Sequence, residues 1–336
     1  MPVQKSSFIA LPVVFYEPSM KYAVSVSFLI FCAWFSAAQE LQLTAVQLRI
    51  DPSMYASREA FETRIRRIVE SAVEKYSPDL IVFPEYTGVF AAAFSCDTSI
   101  LANSGGVPDI IENPAEILKL LDPDAVSVGD FFSRHDPSAD LDDVFGGAAH
   151  EFGVYILGGS YFAAVANIPG KRRRTALKNR AVLYGPDGKR MYEQDKVYLT
   201  PFESGLLGLS AGSVDAAAGF SINGVDLGLT ICRDTFFKEW EDHFSDADIW
   251  IDIKANGVPF DQEQRRVFRQ ALPARIASSG VAAGVTVCLT GSFLDLAWEG
   301  RSSVVVPEEP DGVSTVLKAE SAVAQELIPF TYISVE

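Results

Sequence analysis

A cysteine stands at the exit of an apolar stretch in LGLTICRDTFF, residues 227–237. Cys232 is followed at once by the opposite charges of Arg233 and Asp234, whereas a cysteine that only fills a core is usually followed by apolar residues or a turn. A reactive cysteine needs a partly exposed, electropositive setting that lowers its pKa from about 8.5. The sequence therefore predicts that Cys232 is a nucleophile with a lowered pKa.

A histidine base for this cysteine has weak support. The chain contains three histidines, His135, His150 and His243, and each lies in a polar or irregular segment that is typical of the protein surface. None of the glycine-rich signatures of cysteine proteases surrounds Cys232. The base is therefore expected to be another kind of side chain.

Two charged residues at other predicted strand ends supply that alternative. Glu85 follows the short apolar run LIVFP, and Lys196 lies in QDKVYLTPFE. A carboxylate in a low-dielectric cleft has its pKa raised enough to accept a thiol proton, and a neighbouring ammonium stabilises the thiolate and then an oxyanion. Such a trio attacks a carbon bonded to nitrogen and forms an acyl-enzyme that water cleaves. Each residue alone fits an ordinary surface or core role, so the prediction depends on all three.

Strand-like and helix-like stretches alternate along the chain, which predicts an α/β fold. Residues 41–48 form the first predicted strand, and Ser57 opens a helix with a 3.6-residue apolar period that stops at Ser77-Pro78. Two hairpins follow, the second across Asn223-Gly224 from strands 214–222 and 225–231. A helix is expected over 261–278. Because no composition break or repeat is visible, residues 39–336 are predicted to form a single domain.

One long irregular insertion near residues 89–140 interrupts this pattern. It is rich in Ser, Asp, Pro and Gly, and a helix is expected in it only near 114–121. Segments of this length inside a compact domain are usually functional covering loops or mobile insertions. Since the segment directly follows Glu85, it is expected to line or cover the site.

The start of the chain predicts export. Residues 20–38 combine a lysine, an uncharged apolar run over 22–35 and a small-residue exit, which is the order of a cleaved signal peptide. The run falls short of the roughly 20 residues of a membrane-spanning helix, so no stable membrane anchor is expected. Residues 1–19 are then an upstream extension, and the mature chain is secreted or periplasmic.

The net charge limits the class of binding partner, and the cysteine count limits the possible disulfides. A formal net charge of −16 argues against nucleic acid, and the basic run KRRR at 171–174 is expected to be a solvated hairpin tip. After removal of the signal peptide the chain keeps Cys96, Cys232 and Cys288. If Cys232 is the free thiol, Cys96 and Cys288 could form one disulfide in an oxidising compartment.

The ordered motifs FPEYTG, KVYLTPFE and GLTICRDTFF resemble the carbon–nitrogen hydrolase (nitrilase) superfamily. The flanking segments TAVQLRID, YILGGSYF and LPARIASSGV extend the resemblance over nearly the whole chain after residue 38. The resemblance implies a four-layer αββα sandwich that pairs with a second subunit as a homodimer or higher homo-oligomer. It also implies that the protein needs no metal and no organic cofactor.

The resemblance also assigns roles to individual residues. Glu85 would be the general base and acid, Lys196 the stabiliser of the tetrahedral intermediate, and Cys232 the nucleophile. The backbone N–H of Arg233 would be a second oxyanion donor. Glu203, which closes KVYLTPFE, would orient the substrate or the lysine, although the glycine that often precedes this glutamate is missing here.

The sequence indicates the class of substrate less specifically than it indicates the type of reaction. Arg233-Asp234-Thr235 departs from the Trp-Glu that commonly follows the cysteine of true nitrilases, which favours a small-molecule amide. Predicted export favours an amide met outside the cytoplasm, as for the secreted biotinidase and pantetheinase group, by analogy alone. Nitrile or carbamoyl hydrolysis by the same triad, and a catalytically inactive secreted binding protein, remain alternatives at this point.

Overall fold

The computed structural model describes residues 39–96, 119–165, 176–308 and 312–334. The described residues all belong to one compact unit, and residues 1–38 lie outside them. The predicted signal peptide, the upstream extension and the KRRR run also lie outside them, so these stay predictions. Within the described residues, no helix is both long enough and apolar enough to cross a membrane.

The described elements are strands and helices that are mixed along the chain. The strands are β1 (Glu40–Ile50), β2 (Leu80–Val82), β3 (Tyr155–Val165), β4 (Ala176–Tyr184), β5 (Arg190–Asp195), β6 (Phe220–Ile222), β7 (Val225–Ile231), β8 (Ile249–Lys254), β9 (Ala283–Phe293), β10 (Leu296–Trp298), β11 (Ser303–Glu308), β12 (Gly312–Lys318) and β13 (Glu326–Ile333). The helices are α1 (Arg58–Tyr76), α2 (Val128–Arg134), α3 (Ser138–Leu141), α4 (Gly147–Phe152), α5 (Glu239–His243), α6 (Gln262–Arg269) and α7 (Leu272–Ser279).

The strands make two half-sheets that are joined where β1 pairs in parallel with β9. The strand order is β5-β4-β3-β2-β1-β9-β8-β7-β6, with β13 antiparallel to β1 and β11 antiparallel to β9. Buried residues of both halves form one apolar layer between them. Helices α1 and α4 pack on the outer face of the first half, and α5 and α7 pack in the apolar cluster outside the second. These are the four αββα layers that the resemblance implies, and the α/β prediction is confirmed.

Helix α1 shows how the sequence specifies these elements. Ser57 caps it by accepting a hydrogen bond from the backbone N–H of Ala60 at 3.1 Å. The chain leaves the helix through Ser77, whose φ of 45° is left-handed, directly before Pro78. The apolar stripe between these ends is buried against the sheet: Phe61, Ile65, Ile68, Val69 and Ala72.

Three predicted features differ from the structure. The helix expected over 261–278 is two helices, because Pro273 lies in the first turn of α7, where its ring and missing N–H do not allow α6 to continue. The strand expected over 214–222 is reduced to β6, and Val214–Ala216 is a 3-10 turn. In the insertion near 89–140, helical segments occur at Val89–Ser95, α2 and α3, which the sequence analysis did not predict.

Candidate active site

The three residues of the predicted trio come from different strand ends. Glu85 lies three residues beyond β2, Lys196 directly follows β5, and Cys232 directly follows β7. All three side chains line one cavity of about 580 Å³. The chain thus brings together in one cleft residues that the sequence separates widely, and their catalytic roles remain predictions.

Cys232 occupies a strained backbone position. Its φ is 55°, a left-handed value that is uncommon for a residue with a side chain. Two hydrogen bonds hold its carbonyl oxygen, one from the hydroxyl of Thr235 at 2.8 Å and one from the ammonium of Lys254 at 3.0 Å. These bonds fix the turn that aims the half-buried thiol at the cavity.

The carboxylate of Asp234 joins the Cys232 strand end to the Lys196 strand end. It accepts backbone N–H bonds from Ile231 at 3.2 Å, Val197 at 3.2 Å and Tyr198 at 2.7 Å. Burial raises the pKa of Asp234 to about 7, although these hydrogen bonds act in the opposite direction. Asp234 therefore sets the distance between the two strand ends and does not itself line the cavity.

Arg233, the other charge after the cysteine, turns away from the cavity. Its guanidinium donates a hydrogen bond to the carbonyl of Leu199 and lies over the ring of Phe237 at 5.9 Å. Because Arg233 is the second residue of the 3-10 helix Cys232–Phe236, its backbone N–H has no acceptor inside that helix. That N–H is therefore free of helical bonding, as an oxyanion donor must be.

Lys196 lies between two buried carboxylates. Its ammonium is 2.8 Å from Oε1 of Glu85 and 2.9 Å from Oε2 of Glu203. Asn179 donates from one amide nitrogen to both glutamates, at 2.9 Å and 3.0 Å. Glu203, which the resemblance proposes as an orienting residue, thus contacts the lysine directly.

Further hydrogen bonds distinguish the two glutamates. Glu203 also accepts from the hydroxyl of Tyr86 at 2.8 Å and from the backbone N–H of Thr200 at 2.8 Å. Outside the Lys196–Asn179 cluster, Glu85 accepts from the backbone N–H of Ala255 at 2.8 Å. Glu203 is therefore the better stabilised anion.

These environments push the two carboxylate pKa values apart. Burial, with the nearby charge of Glu203, raises the pKa of Glu85 even though Lys196 acts to lower it. Burial also acts on Glu203, but Lys196 and the hydrogen bond from Thr200 hold its pKa below the usual range. Burial alone would lower the pKa of Lys196, and the carboxylates keep it well above its ordinary value. Glu85 is the group able to exchange a proton, and Glu203 is a permanent counter-ion.

The predicted lowering of the Cys232 pKa is wrong. Burial and the negative charge of Glu85 raise the pKa of the thiol to about 12, and they outweigh the opposing effects of Lys196 and Lys254. The resting residue is therefore a neutral thiol. To act as a nucleophile, a neutral thiol would require a base that removes its proton during the attack, and the sequence motifs predict that role for Glu85.

A second buried ion pair lies beside the cysteine, and the sequence analysis missed it. Lys254 is 2.7 Å from Asp252 and also donates to the hydroxyl of Thr235 at 3.0 Å. The sequence does contain a pattern that indicates this pair, because Asp252 and Lys254 carry opposite charges two residues apart in the otherwise apolar strand IWIDIK. Asn179 was missed in the same way, as a lone amide inside the strand ALKNRAVLY.

The hypothesis of a Cys96–Cys288 disulfide is also wrong. The structure has Cys96, Cys232 and Cys288 as free thiols. Cys288 is buried within β9, where its backbone N–H donates to the hydroxyl of Ser302 at 2.9 Å. Cys96 instead packs against the cluster of Ala92 and Phe131 in the insertion, so the two residues belong to different layers.

No group of three or more metal-binding side chains occurs among the residues that the structure describes. The cavity is lined mainly by apolar side chains, and Glu85, Lys196 and Cys232 are among its few polar residues. The arrangement offers a nucleophile, a proton acceptor and an ammonium, and these suffice for acyl transfer.

The fold has close counterparts among solved structures. An amidase from Nesterenkonia sp. is 18% identical, with 87% of this chain and 90% of that chain covered and a TM-score of 0.58. A carbon–nitrogen hydrolase from Helicobacter pylori is 15% identical, with 87% and 89% covered and a TM-score of 0.61. A mutant of the Nesterenkonia sp. amidase, with acrylamide added at its active-site cysteine, is 17% identical, with 86% and 92% covered and a TM-score of 0.58.

No protein-family model matches the chain, and no curated protein matches its sequence. At the identities found, the structural likeness establishes the fold. The chain therefore has the fold of the nitrilase superfamily, as its sequence motifs predict.

Proposed function

We propose that this protein hydrolyses the carbon–nitrogen bond of a non-peptide amide through a thioester on Cys232. The observation that carries the proposal is the pair of carboxylates around Lys196, whose pKa values move in opposite directions beside a cavity-facing cysteine. Pairs of titratable groups separated in this way mark acid–base assignments. Glu85 is then the proton carrier, and Glu203 holds Lys196 charged and in place.

The first half of the reaction forms the thioester. Glu85 takes the proton of Cys232 as the sulfur bonds to the carbonyl carbon, and the carbonyl oxygen gains the negative charge. Lys196 and the backbone N–H of Arg233 stabilise that oxyanion. Glu85 then gives the proton to the nitrogen, the carbon–nitrogen bond breaks, and ammonia or an amine leaves.

The second half uses water. Glu85 accepts a proton from a water molecule, whose oxygen bonds to the thioester carbon. The carbon–sulfur bond breaks, the carboxylic acid is released, and the sulfur regains its proton from Glu85. One amide and one water thus give one acid and one amine, and the enzyme returns to its resting state.

The structural neighbours support an amide as substrate. Their names describe an amidase and a carbon–nitrogen hydrolase, and one carries acrylamide on its active-site cysteine. We further propose that the chain acts after export, following removal of 20–38, and as a homodimer or higher homo-oligomer. N-terminal sequencing of the exported chain and sedimentation of the purified protein test these two points.

Replacement of Cys232 tests the proposed chemistry. We expect Cys232→Ala to lose ammonia release from amides completely while its circular dichroism is unchanged. Cys96→Ala is the matched control, because Cys96 is also a partly exposed free thiol but does not line the cavity. Equal activity in the two variants would refute the proposal.

A further inference from the structure

The walls of the cavity are strongly apolar. Besides the proposed catalytic residues, it is lined by aromatic rings from β3, β9, β10 and the insertion: Phe90, Phe131, Phe132, Phe162, Phe293 and Trp298. Phe90 and Phe293 stack with their ring centroids 4.0 Å apart, and Phe132 packs edge-on against Phe162 at 4.9 Å. The volume of about 580 Å³ lies in the range of pockets that enclose a whole organic ligand.

Apart from the Cys232 thiol, the polar side chains of the lining already have partners, and they include a second acidic residue, Asp295. The hydroxyl of Tyr86 donates to Glu203, and the hydroxyl of Thr200 accepts from the backbone N–H of Glu203. Among the described lining residues, the only ammonium or guanidinium is Lys196, which two carboxylates neutralise. A substrate carboxylate placed deep in this cavity would lose its water without gaining a cationic partner, which is strongly unfavourable.

Apolar character continues to the mouth. Leu206 and Val258 line the cavity and are still 38% and 51% exposed. Exposed apolar side chains at a cavity rim add favourable contact for a ligand that fills the cavity and reaches the surface. Because Lys196 is neutralised and Asp295 is a second carboxylate in the described lining, the cavity suits an uncharged chain or ring and disfavours an anionic one.

We infer that the substrates are amides with a long or bulky apolar acyl group, such as medium-chain alkyl or arylalkyl amides. This inference rests on the proposed function and specifies its substrate class. The apolar portion is assigned to the acyl side, because the thioester keeps the acyl group in the cavity on Cys232 after the ammonia or amine has left. The cavity then holds the acyl chain in place during the attack of water.

Chain length is the direct test. For acetamide, butyramide, hexanamide and octanamide we expect kcat/KM to rise about fourfold per buried methylene, until the chain outgrows the cavity. Adipamic acid, which is close to hexanamide but ends in a carboxylate, should be at least a hundredfold poorer. Values that are flat or fall with length would overturn the inference and leave the proposed function intact. Failure of every amide to acylate Cys232 would overturn both.

A variant that adds a positive charge to the cavity lining makes the test more specific. Val128→Arg puts a cation on the cavity side of α2, so it should raise the ratio of kcat/KM for adipamic acid over hexanamide at least tenfold. Val126→Arg is the matched control, because Val126 is 87% exposed, lies two residues away and does not line the cavity. Val258→Arg at the exposed mouth is a second variant in case the first fails to fold. An unchanged ratio in both folded lining variants would contradict the inference.

Discussion

Two buried lysines lie next to the nucleophile, and they differ in what surrounds them. Lys196 lines the cavity and contacts two carboxylates, Glu85 and Glu203. Lys254 does not line it, and it pairs with one carboxylate, Asp252, while it donates to the carbonyl of Cys232. The first cluster has more carboxylates than cations, whereas the second is balanced.

This difference separates a proton-exchanging cluster from a fixed one. Burial raises the pKa of both Glu85 and Asp252, but only Glu85 lines the cavity, and the second carboxylate, Glu203, raises the pKa of Glu85 further. In the balanced cluster Lys254 lies over the rings of Phe236 and Phe268, at 5.3 Å and 5.5 Å, which adds cation–π stabilisation. We infer that the Lys196 cluster carries out proton transfer and that the Lys254 cluster holds the cysteine turn.

Among the charged residues of the two clusters, the largest effect is expected for Glu85→Gln. Glutamine keeps the size and an acceptor oxygen but cannot take the thiol proton, so kcat/KM should fall by about 10²–10⁴. The melting temperature should not fall, because burial already disfavours the charged form of Glu85. Amide turnover and thermal unfolding check the two statements. Turnover within a factor of two of the unmodified enzyme would exclude Glu85 as the base.

Glu203→Gln removes the charge of the second carboxylate that contacts Lys196. Glu203 raises the pKa of Glu85, so its neutralisation should move the acid limb of the kcat/KM–pH profile to lower pH. Since the folded-state pKa of Glu203 is lowered, its charge stabilises the fold above its unfolded pKa, and that stability is lost as pH falls. We therefore expect this variant to lose about 1–3 kcal/mol at neutral pH, unlike Glu85→Gln. Equal unfolding free energies for the two variants would contradict the distinction.

The balanced cluster is tested by the double variant Asp252→Asn with Lys254→Met. Removal of both charges leaves no buried carboxylate without a partner, and it deletes one hydrogen bond to the Cys232 carbonyl. We expect about a fivefold lower kcat, from a loss of roughly 1 kcal/mol in positioning, with the acid limb of the pH profile unmoved. A shift of that limb as large as the Glu203→Gln shift would mean that this cluster also takes part in proton exchange.

The smallest effect concerns pH-dependent stability. The pKa of Asp234 is raised from 3.8 to about 7, so the folded state binds its proton more readily than the unfolded state does. The stability that this group contributes is full below about pH 4 and declines as the pH rises through about 7. Asp234→Asn should flatten that decline in urea unfolding measured across this range. An identical slope in both proteins would contradict the raised pKa.

Much of the fold and the core of the site could be predicted from the sequence. Apolar runs gave the strands that end near Glu85, Lys196 and Cys232, and Ser57 with Ser77-Pro78 marked the bounds of α1. These features are local, because a few neighbouring residues determine them. Strand ends in turn predict which side chains meet at the edge of a sheet.

What the sequence could not reveal depends on distant partners. Asn179 bonds to Glu85, 94 residues away, and the backbone N–H of Ala255 bonds to the same glutamate across 170 residues. The sign of the Cys232 pKa shift depends on burial and on the balance of Glu85 against two lysines, neither of which can be read from the flanking charges. Of those charges, Asp234 turned inward as a backbone acceptor and Arg233 turned away from the cavity.

Trapping the acyl-enzyme tests most directly whether Cys232 is the nucleophile that forms the thioester. Wild-type protein turning over hexanamide is quenched in acid and digested, and its peptides are mapped by mass spectrometry. We expect a hexanoyl group on Cys232 that hydroxylamine removes, and no such group on Cys96 or Cys288. Steady turnover with Cys232 unmodified, or with the acyl group on another residue, would contradict it.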